Sequence, residues 1–202
     1  MHPPPANRRR RHADETHREI LTAARRLFAQ KGYRATTVRD VADEAGVSVQ
    51  TVYDSVGSKR ALVLELNNQI DVEAGIPLLA MAAATETDPI AVLAVPARIA
   101  CALVEHCGDV IRPSYAGAIE EPELAAVVTE GHRRHVQGAG MVTARLAALG
   151  AVAADADLAE LTATVAAVTD VEVALMLVDR YDWSTARLEQ WMVGTLRRLV
   201  LD

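Results

Sequence analysis

The chain has 202 residues, of which 50% are hydrophobic and 3% aromatic, and its formal net charge is −6. A half-apolar chain of this length is neither disordered nor of low complexity, and it can bury a real core without disulfides. The acidic balance alone argues against a nucleic-acid-binding protein, because such proteins usually present a basic domain. Few aromatic residues and many alanines favour close-packed helices over a β-sandwich.

The two cysteines, Cys101 and Cys107, are too few for a disulfide framework, which predicts a reduced, cytoplasmic protein. No hydrophobic segment follows the N-terminal arginines, so no secretory signal is predicted. The longest apolar region, residues 90–104, contains Pro96 and Arg98. It is too short and too interrupted to predict a membrane span, and the membrane class is therefore excluded.

The N-terminal third predicts a basic arm and then four helices. Residues 1–13, with arginine at positions 8–11, predict a disordered arm that is either a solvated tail or a minor-groove arm. Helical periodicity starts at residue 14 and stops at Gly32. A short helix capped by Thr36 or Thr37 follows, and Ser48 caps a third helix. A longer helix runs from Lys59 toward Glu73.

The rest of the chain is predicted to be helical throughout. Helices are expected over about residues 88–105, 123–149, 158–181 and 185–201, with a connecting segment between Pro113 and Pro122. The predicted fold class is all-α with about nine helices. The predicted domains are a disordered basic arm at 1–13, a helix-turn-helix domain at 14–60, and a larger ligand-binding and dimerisation domain at 61–202.

Residues 36–59 carry the strongest functional signal, two short helices joined by a tight turn that contains glycine. This is the helix-turn-helix pattern. Gly46 tolerates the left-handed conformation that ends the first helix, and Ser48 satisfies the free N–H groups of the second. Val52 is expected to face the corner between the helices. The side chains expected to point outward, at the end that enters a major groove, are Val49, Gln50, Tyr53 and Asp54.

Residues 16–62 resemble the DNA-binding domain of the TetR family of transcriptional repressors. The matching residues are Ile20 to Ala24, Leu27, Phe28, Gly32, Tyr33, Thr36 to Val38, Val41, Ala42, Ala45 to Ser48, Thr51 to Tyr53, Ser58 and Lys59. The remaining chain fits the family's helical ligand-binding domain only in length and helicity.

The resemblance implies which residues contact DNA. Thr37 would contact a phosphate at the start of a helix, and Tyr53 and Lys59 occupy positions that usually contact the backbone. The Gln50 amide would pair with N6 and N7 of adenine, and Val49 would contact a thymine methyl. The full predicted set of DNA-binding residues is Thr37, Arg39, Ser48, Val49, Gln50, Thr51, Tyr53 and Lys59, with Arg39 reaching a phosphate or a guanine.

Three departures from the family pattern lie in the second helix of the motif or directly after it. Gln50 occupies a position where the family very often has glycine, which suggests that its side chain contacts a base specific to the operator of this protein. Ser55 and Val56 replace the aromatic pair that is common after the tyrosine. Asp54 places a negative charge near the DNA face, where it would accept from cytosine N4 or repel the wrong sequence.

The resemblance also implies partners: a palindromic double-stranded DNA operator, a small and largely apolar effector, and a second copy of the chain. The dimer would form through the last two helices, about residues 157–181 and 185–201, and the protein would be nucleoid-associated when bound to DNA. The alternative is a helical small-molecule-binding protein or enzyme whose helix-turn-helix is vestigial. An activator or a non-specific DNA-organising protein is a further alternative.

Other candidate sites are weaker. His132 and His135 are spaced i, i+3, but no cysteine or carboxylate motif supports a metal site. No nucleophile or paired-carboxylate motif predicts catalysis, and no cofactor is expected. Arg98, in an apolar stretch, is expected to be buried and ion-paired with Glu105 or another helix, or else to bind the acid group of a ligand.

Charge is distributed unevenly along the chain. Residues 1–70 contain 12 Arg/Lys and 8 Asp/Glu, a balance of +4, whereas residues 71–202 contain 9 and 19, a balance of −10. The acidity therefore belongs to the C-terminal part and does not argue against DNA binding by the N-terminal part.

Overall fold

The computed structural model describes residues 5–201, with side chains described from residue 10 onward. Within that range the chain contains helices and no strands, which confirms the all-α prediction. Ten α-helices and a final π-helical turn are present there, in agreement with the prediction of about nine helices. Their bounds are α1 Pro5–Ala35, α2 Val38–Glu44, α3 Val49–Ser55, α4 Lys59–Glu73, α5 Ile76–Thr85, α6 Pro89–Gly117, α7 Pro122–Ala148, α8 Leu158–Val168, α9 Val171–Tyr181, α10 Thr185–Leu196 and the π turn Arg197–Leu201.

Helix α1 differs from the prediction at its start and agrees with it at its end. The disordered arm predicted for residues 1–13 is helical from Pro5 onward, and residues 1–4 lie outside the described part. Proline is compatible with the first position of a helix, and no glycine interrupts the chain before Gly32. The helical path breaks at Gly32, whose φ of 78° is left-handed, as expected for the predicted stop.

Helix α6 is longer than the sequence analysis predicted. It continues through Pro113 to Gly117, so the predicted connecting segment shrinks to residues 118–121. By length and composition α6 could cross a membrane, which corrects the argument that this region is too short. More than half of its apolar window is packed inside the protein, as in a core helix.

The helix predicted over residues 158–181 is two helices. The chain leaves helical geometry at Thr169, and Asp170 caps α9 by accepting a hydrogen bond from the Glu172 backbone N–H. Aspartate at this position competes for backbone N–H groups, which favours a new helix start over continuation. The continuous stretch also has the length and composition of a membrane span, but this break with its capping carboxylate lies in its middle.

The chain forms two compact units. The N-terminal unit extends through Gln69 and also includes Asp109–Val128, and the C-terminal unit comprises Ile70–Gly108 and the residues from Thr129 onward. The predicted boundary after residue 60 is therefore displaced, because the end of α6 and the start of α7 pack with the N-terminal helices. Sequence periodicity does not report such a distant partner.

Each unit has its own apolar core. In the N-terminal unit the core is built on buried residues of α1 to α4, among them Ile20, Leu27, Phe28, Val41, Val52, Leu62 and Leu66. In the C-terminal unit a cluster of buried residues joins α6, α7, α8, α10 and the π turn through Leu93, Val142, Leu146, Val165, Leu196 and Val200. The first core fixes the two short helices α2 and α3 against each other and against α1, and this arrangement presents the candidate site.

Candidate nucleic-acid interface

The turn between α2 and α3 has the geometry that its sequence predicts. Gly46 adopts a left-handed φ of 67°, and the Val47 N–H donates to the Ala42 carbonyl at 2.9 Å. Ser48 is the N-cap of α3, because its hydroxyl accepts from the Thr51 N–H at 3.0 Å. Val52 has no exposed surface and fills the corner between the helices. A turn fixed in this way holds α3 at a defined angle to α2.

The outer face of α3 is presented to solvent. Gln50, Tyr53 and Asp54 are exposed, and half of the Tyr53 surface is accessible. Val49, predicted to point outward with them, is half-buried. The Gln50 amide nitrogen donates to the Asp54 carboxylate with an Nε2–Oδ1 distance of 2.8 Å. The predicted base reader is therefore held by its neighbour one turn later.

The start of α2 is closed by a capping box. The Thr37 hydroxyl accepts from the Asp40 backbone N–H at 3.1 Å, while the Thr37 backbone N–H and hydroxyl both donate to Asp40 Oδ2 at 2.7 Å. These bonds from Thr37 hold the pKa of the Asp40 carboxyl below its usual range. The donors that were predicted to bind phosphate are thus already bonded to an anion of the same helix.

Lys59 is held against the neighbouring end of α1. Its ammonium lies 4.0 Å from the centre of the Tyr33 ring and donates to the Arg34 carbonyl at 3.5 Å. Partial burial lowers the pKa of Lys59, and the charges of Glu121 and Glu123 act in the opposite direction. The cation–π contact positions this positive charge at the start of α4.

Three carboxylates at the junction of α6 and α7, Glu120, Glu121 and Glu123, form what we call the acidic corner. Arg34 lies 3.3 Å from Glu120 and 3.8 Å from Glu121, with most of its side chain exposed. Glu121 and Glu123 also raise the pKa of Tyr33, although burial of that phenol has the larger effect. The basic groups at the end of α1 and the start of α4 therefore share one acidic neighbour.

The predicted DNA-binding residues all lie in the N-terminal unit. Ser48 and Thr51 are joined through their hydroxyls at 2.8 Å, and Arg39 is exposed on α2. Sequence reasoning missed the partners of these residues. The Thr37–Asp40 and Gln50–Asp54 spacings are visible in the sequence as i, i+3 and i, i+4 pairs, whereas no local signal links Arg34 to the acidic corner.

Arg98, in the C-terminal unit, corrects one expectation. It is ion-paired as expected, but its partner is Glu189 of α10, with an Nε–Oε1 distance of 3.1 Å. Half of the Arg98 side chain is exposed, so the predicted burial is wrong. The residue lies on the outward side of α6, which is otherwise apolar at this point.

Each of the two histidines considered for metal binding contacts an oxygen atom of the protein. His132 lies 3.7 Å from Asp170, and the His135 Nε2 is 3.0 Å from the Ala166 carbonyl oxygen. Among the residues that the structure describes, no group of three or more metal-ligating side chains comes together. His132 and Asp170 instead border an open groove of about 480 Å³ between α7 and α8, in which four of the eight lining residues are alanine.

Comparison with known proteins matches the N-terminal region specifically. The family model described as "Bacterial regulatory proteins, tetR family" matches residues 20–66. The HTH-type transcriptional repressor KstR2 of Rhodococcus jostii is 48% identical over 48 residues, which cover 24% of this chain and 24% of that protein. The chain thus matches only about a quarter of the length of the curated relatives.

Comparison with solved structures extends over nearly the whole chain and shows the fold. A transcriptional-regulator structure from Saccharomonospora viridis, in complex with choline, superposes with a TM-score of 0.72 at 22% identity and covers 94% of this chain and 99% of that one. A SmeT–triclosan complex superposes with a TM-score of 0.75 at 16% identity and covers 93% and 92%. The similarity beyond the first 66 residues is therefore one of architecture.

Proposed function

We propose that this chain, whose residues 20–66 match the tetR family of bacterial regulatory proteins, is a homodimeric transcriptional repressor released from its operator by a small, largely apolar molecule. The observation that carries the proposal is the α2–α3 pair, with its left-handed Gly46 turn, buried Val52 and exposed outer face. This arrangement lets α3 enter a major groove while the preceding helix crosses the backbone. The protein would act in the cytoplasm, associated with the nucleoid when bound to DNA.

Residues of the helix-turn-helix would divide into those that contact base edges and those that contact the DNA backbone. Gln50 and Val49 would contact base edges, and Arg39, Ser48, Thr51, Tyr53 and Lys59 would contact the backbone or support those contacts. Thr37 would contribute mainly by capping α2, because its donors are bonded to Asp40.

The proposed dimer uses the last two predicted helical segments, now α8 with α9 and α10 with the π turn. Only 28% of the apolar window within Leu158–Tyr181 is buried inside one chain, and Met176, Tyr181 and Leu199 are exposed. Apolar surface of this extent is typical of a protein–protein interface. Two-fold symmetry would place the two recognition helices about 34–36 Å apart on a palindromic operator.

The proposed effector site lies in the C-terminal unit. Two structures with the same fold contain small molecules, choline in one and triclosan in the other. Arg98 is a candidate contact for an acidic group, which would have to compete with Glu189 for the guanidinium. An effector that prefers the non-binding conformation by about 3 kcal/mol would lower operator affinity on the order of 100-fold.

The experiment that tests the proposal is a binding assay with the full chain and the DNA upstream of its own gene, with random duplex as reference. Gln50→Ala is expected to reduce the preference for the bound sequence, whereas Lys59→Ala should weaken both DNAs by the same factor and lower the salt slope by about 1. Triclosan and choline serve as the first probes of release. Equal binding of the wild-type chain to both DNAs, without sequence preference, would refute the repressor proposal.

A further inference from the structure

The hydrogen bond between Gln50 and Asp54 has a fixed direction. A carboxylate only accepts, so the nitrogen of the Gln50 amide, and not its oxygen, faces Asp54. Both residues are exposed on α3 one helical turn apart, with an Nε2–Oδ1 distance of 2.8 Å. Such i, i+4 pairs persist in water as modest but real stabilising contacts.

This direction decides what the amide still offers to DNA. The Nε2 nitrogen carries two N–H groups, and Asp54 takes one of them. What remains is one donor beside one acceptor, the carbonyl oxygen. Adenine presents the complementary pair in the major groove, an N7 acceptor beside an N6 donor, whereas guanine presents two acceptors, N7 and O6. An amide held in this way fits adenine and sets its oxygen against the guanine oxygen.

We infer that Asp54 is a positioning residue that fixes the Gln50 amide in the orientation that reads adenine in preference to guanine. The inference rests on the proposed function, because it assigns the base class that the recognition helix selects. It differs from a direct role for Asp54, in which the carboxylate would accept from cytosine N4. The bond strengthens where the groove excludes water, since the local dielectric falls.

The Asp54 carboxylate is also expected to lower the affinity of the protein for DNA of any sequence. An exposed negative charge on the DNA face repels the phosphates of every sequence alike. Asp54 is therefore expected to lower binding to random duplex while it sharpens the choice between two purines. The two effects are separable, because one is measured as a ratio between sequences and the other on random DNA.

The test is a double-mutant cycle with the full chain. The wild type selects a bound sequence from a randomised duplex library, and the position whose preference Gln50→Ala removes is then synthesised with adenine or guanine. The adenine-to-guanine affinity ratio is measured for the wild type, Asp54→Ala, Asp54→Glu, Gln50→Ala and the Gln50→Ala/Asp54→Ala pair. Binding to random duplex monitors folding and the charge effect.

Gln50→Ala is expected to reduce the ratio about tenfold, and Asp54→Ala about threefold with tighter binding to random duplex. Asp54→Glu keeps an acceptor one turn away and is expected to retain the ratio within about twofold. In the Gln50→Ala background, removal of Asp54 should change the ratio no further.

Three results would overturn the inference while leaving the repressor proposal intact. The first is an adenine-to-guanine affinity ratio that Asp54→Ala leaves unchanged. The second is a fall in this ratio, on removal of Asp54, that is as large in the Gln50→Ala variant as in the wild type. The third is a base other than adenine at the position that Gln50 controls. A wild-type chain that selects no sequence at all would instead refute the repressor proposal itself.

Discussion

The two units of this molecule are similar to known proteins in different ways. Residues 20–66 match a family model, and a 48-residue stretch of the chain is 48% identical to a curated repressor. Over nearly the whole chain, by contrast, the two solved structures share its architecture at only 22% and 16% identity. The helices differ as well. Helices α2 and α3 have seven residues each, and α6 and α7 have 29 and 27.

Helix length predicts that α2 and α3 tolerate less sequence change than α6 and α7. A helix of two turns is unstable alone and needs its caps and its single buried contact, here Ser48 and Val52 for α3. A helix of seven or eight turns needs only a sufficient apolar stripe, which many sequences supply. The short helices therefore constrain residue identity, and the long ones constrain composition.

The largest effect is expected in the N-terminal core. Leu62→Ala, at a leucine with no exposed surface on α4, should lower the free energy of unfolding by about 3 kcal/mol, because it leaves a cavity in the core. Leu64→Ala is the matched control two residues along the same helix, where 40% of the side chain is exposed, and its cost should stay under about 1 kcal/mol. Urea unfolding measures both, and equal costs would contradict the described core.

Local chemistry accounts for what the sequence predicts well. Gly32, Gly46 and Ser48 act within a few residues of themselves, so their turn and cap were predictable from type and spacing. The α8–α9 break at Asp170 was missed because apolar periodicity outweighed one capping residue. The packing of residues 109–128 with the N-terminal helices was unpredictable, since contacts such as Arg25–Asp109 join positions 84 residues apart.

The same holds for the candidate site. The identities of the outward residues followed from helical geometry, but their bonding did not. The sequence predicts that Gln50 contacts a base and that Asp54 acts as a separate charge, whereas the structure joins the two side chains by a hydrogen bond. Side-chain pairs on an exposed face depend on rotamers, which composition and periodicity do not determine.

The helices proposed to form the dimer leave apolar side chains exposed on the surface of a single chain. Met176→Glu and Leu199→Glu place charges on the proposed dimer helices and should convert the dimer to monomers, as measured by light scattering. Operator affinity should then fall about 100-fold, because two half-sites no longer bind together. Met81→Glu on α5, where the methionine is even more exposed, is the control and should remain dimeric. Dimerisation unaffected by both variants would place the interface elsewhere.

The smallest expected effect comes from the negative charge of the acidic corner in the N-terminal unit. The acidic corner competes with DNA phosphates for Arg34, so Glu120→Gln with Glu121→Gln should raise affinity for any duplex about two- to threefold, the range of an exposed ion pair. The salt dependence should steepen by about one unit of slope, because the released guanidinium gains a phosphate contact.

The control variant for this charge effect is Glu105→Gln with Asp155→Asn, which changes the net charge by the same amount at exposed positions of the C-terminal unit. Screening over about 10 Å at 0.1 M salt should leave its slope unchanged. If both pairs of substitutions alter affinity and slope equally, the effect belongs to the net charge of the chain. If only Glu120→Gln with Glu121→Gln alters affinity and slope, the effect belongs to the contact between Arg34 and the acidic corner.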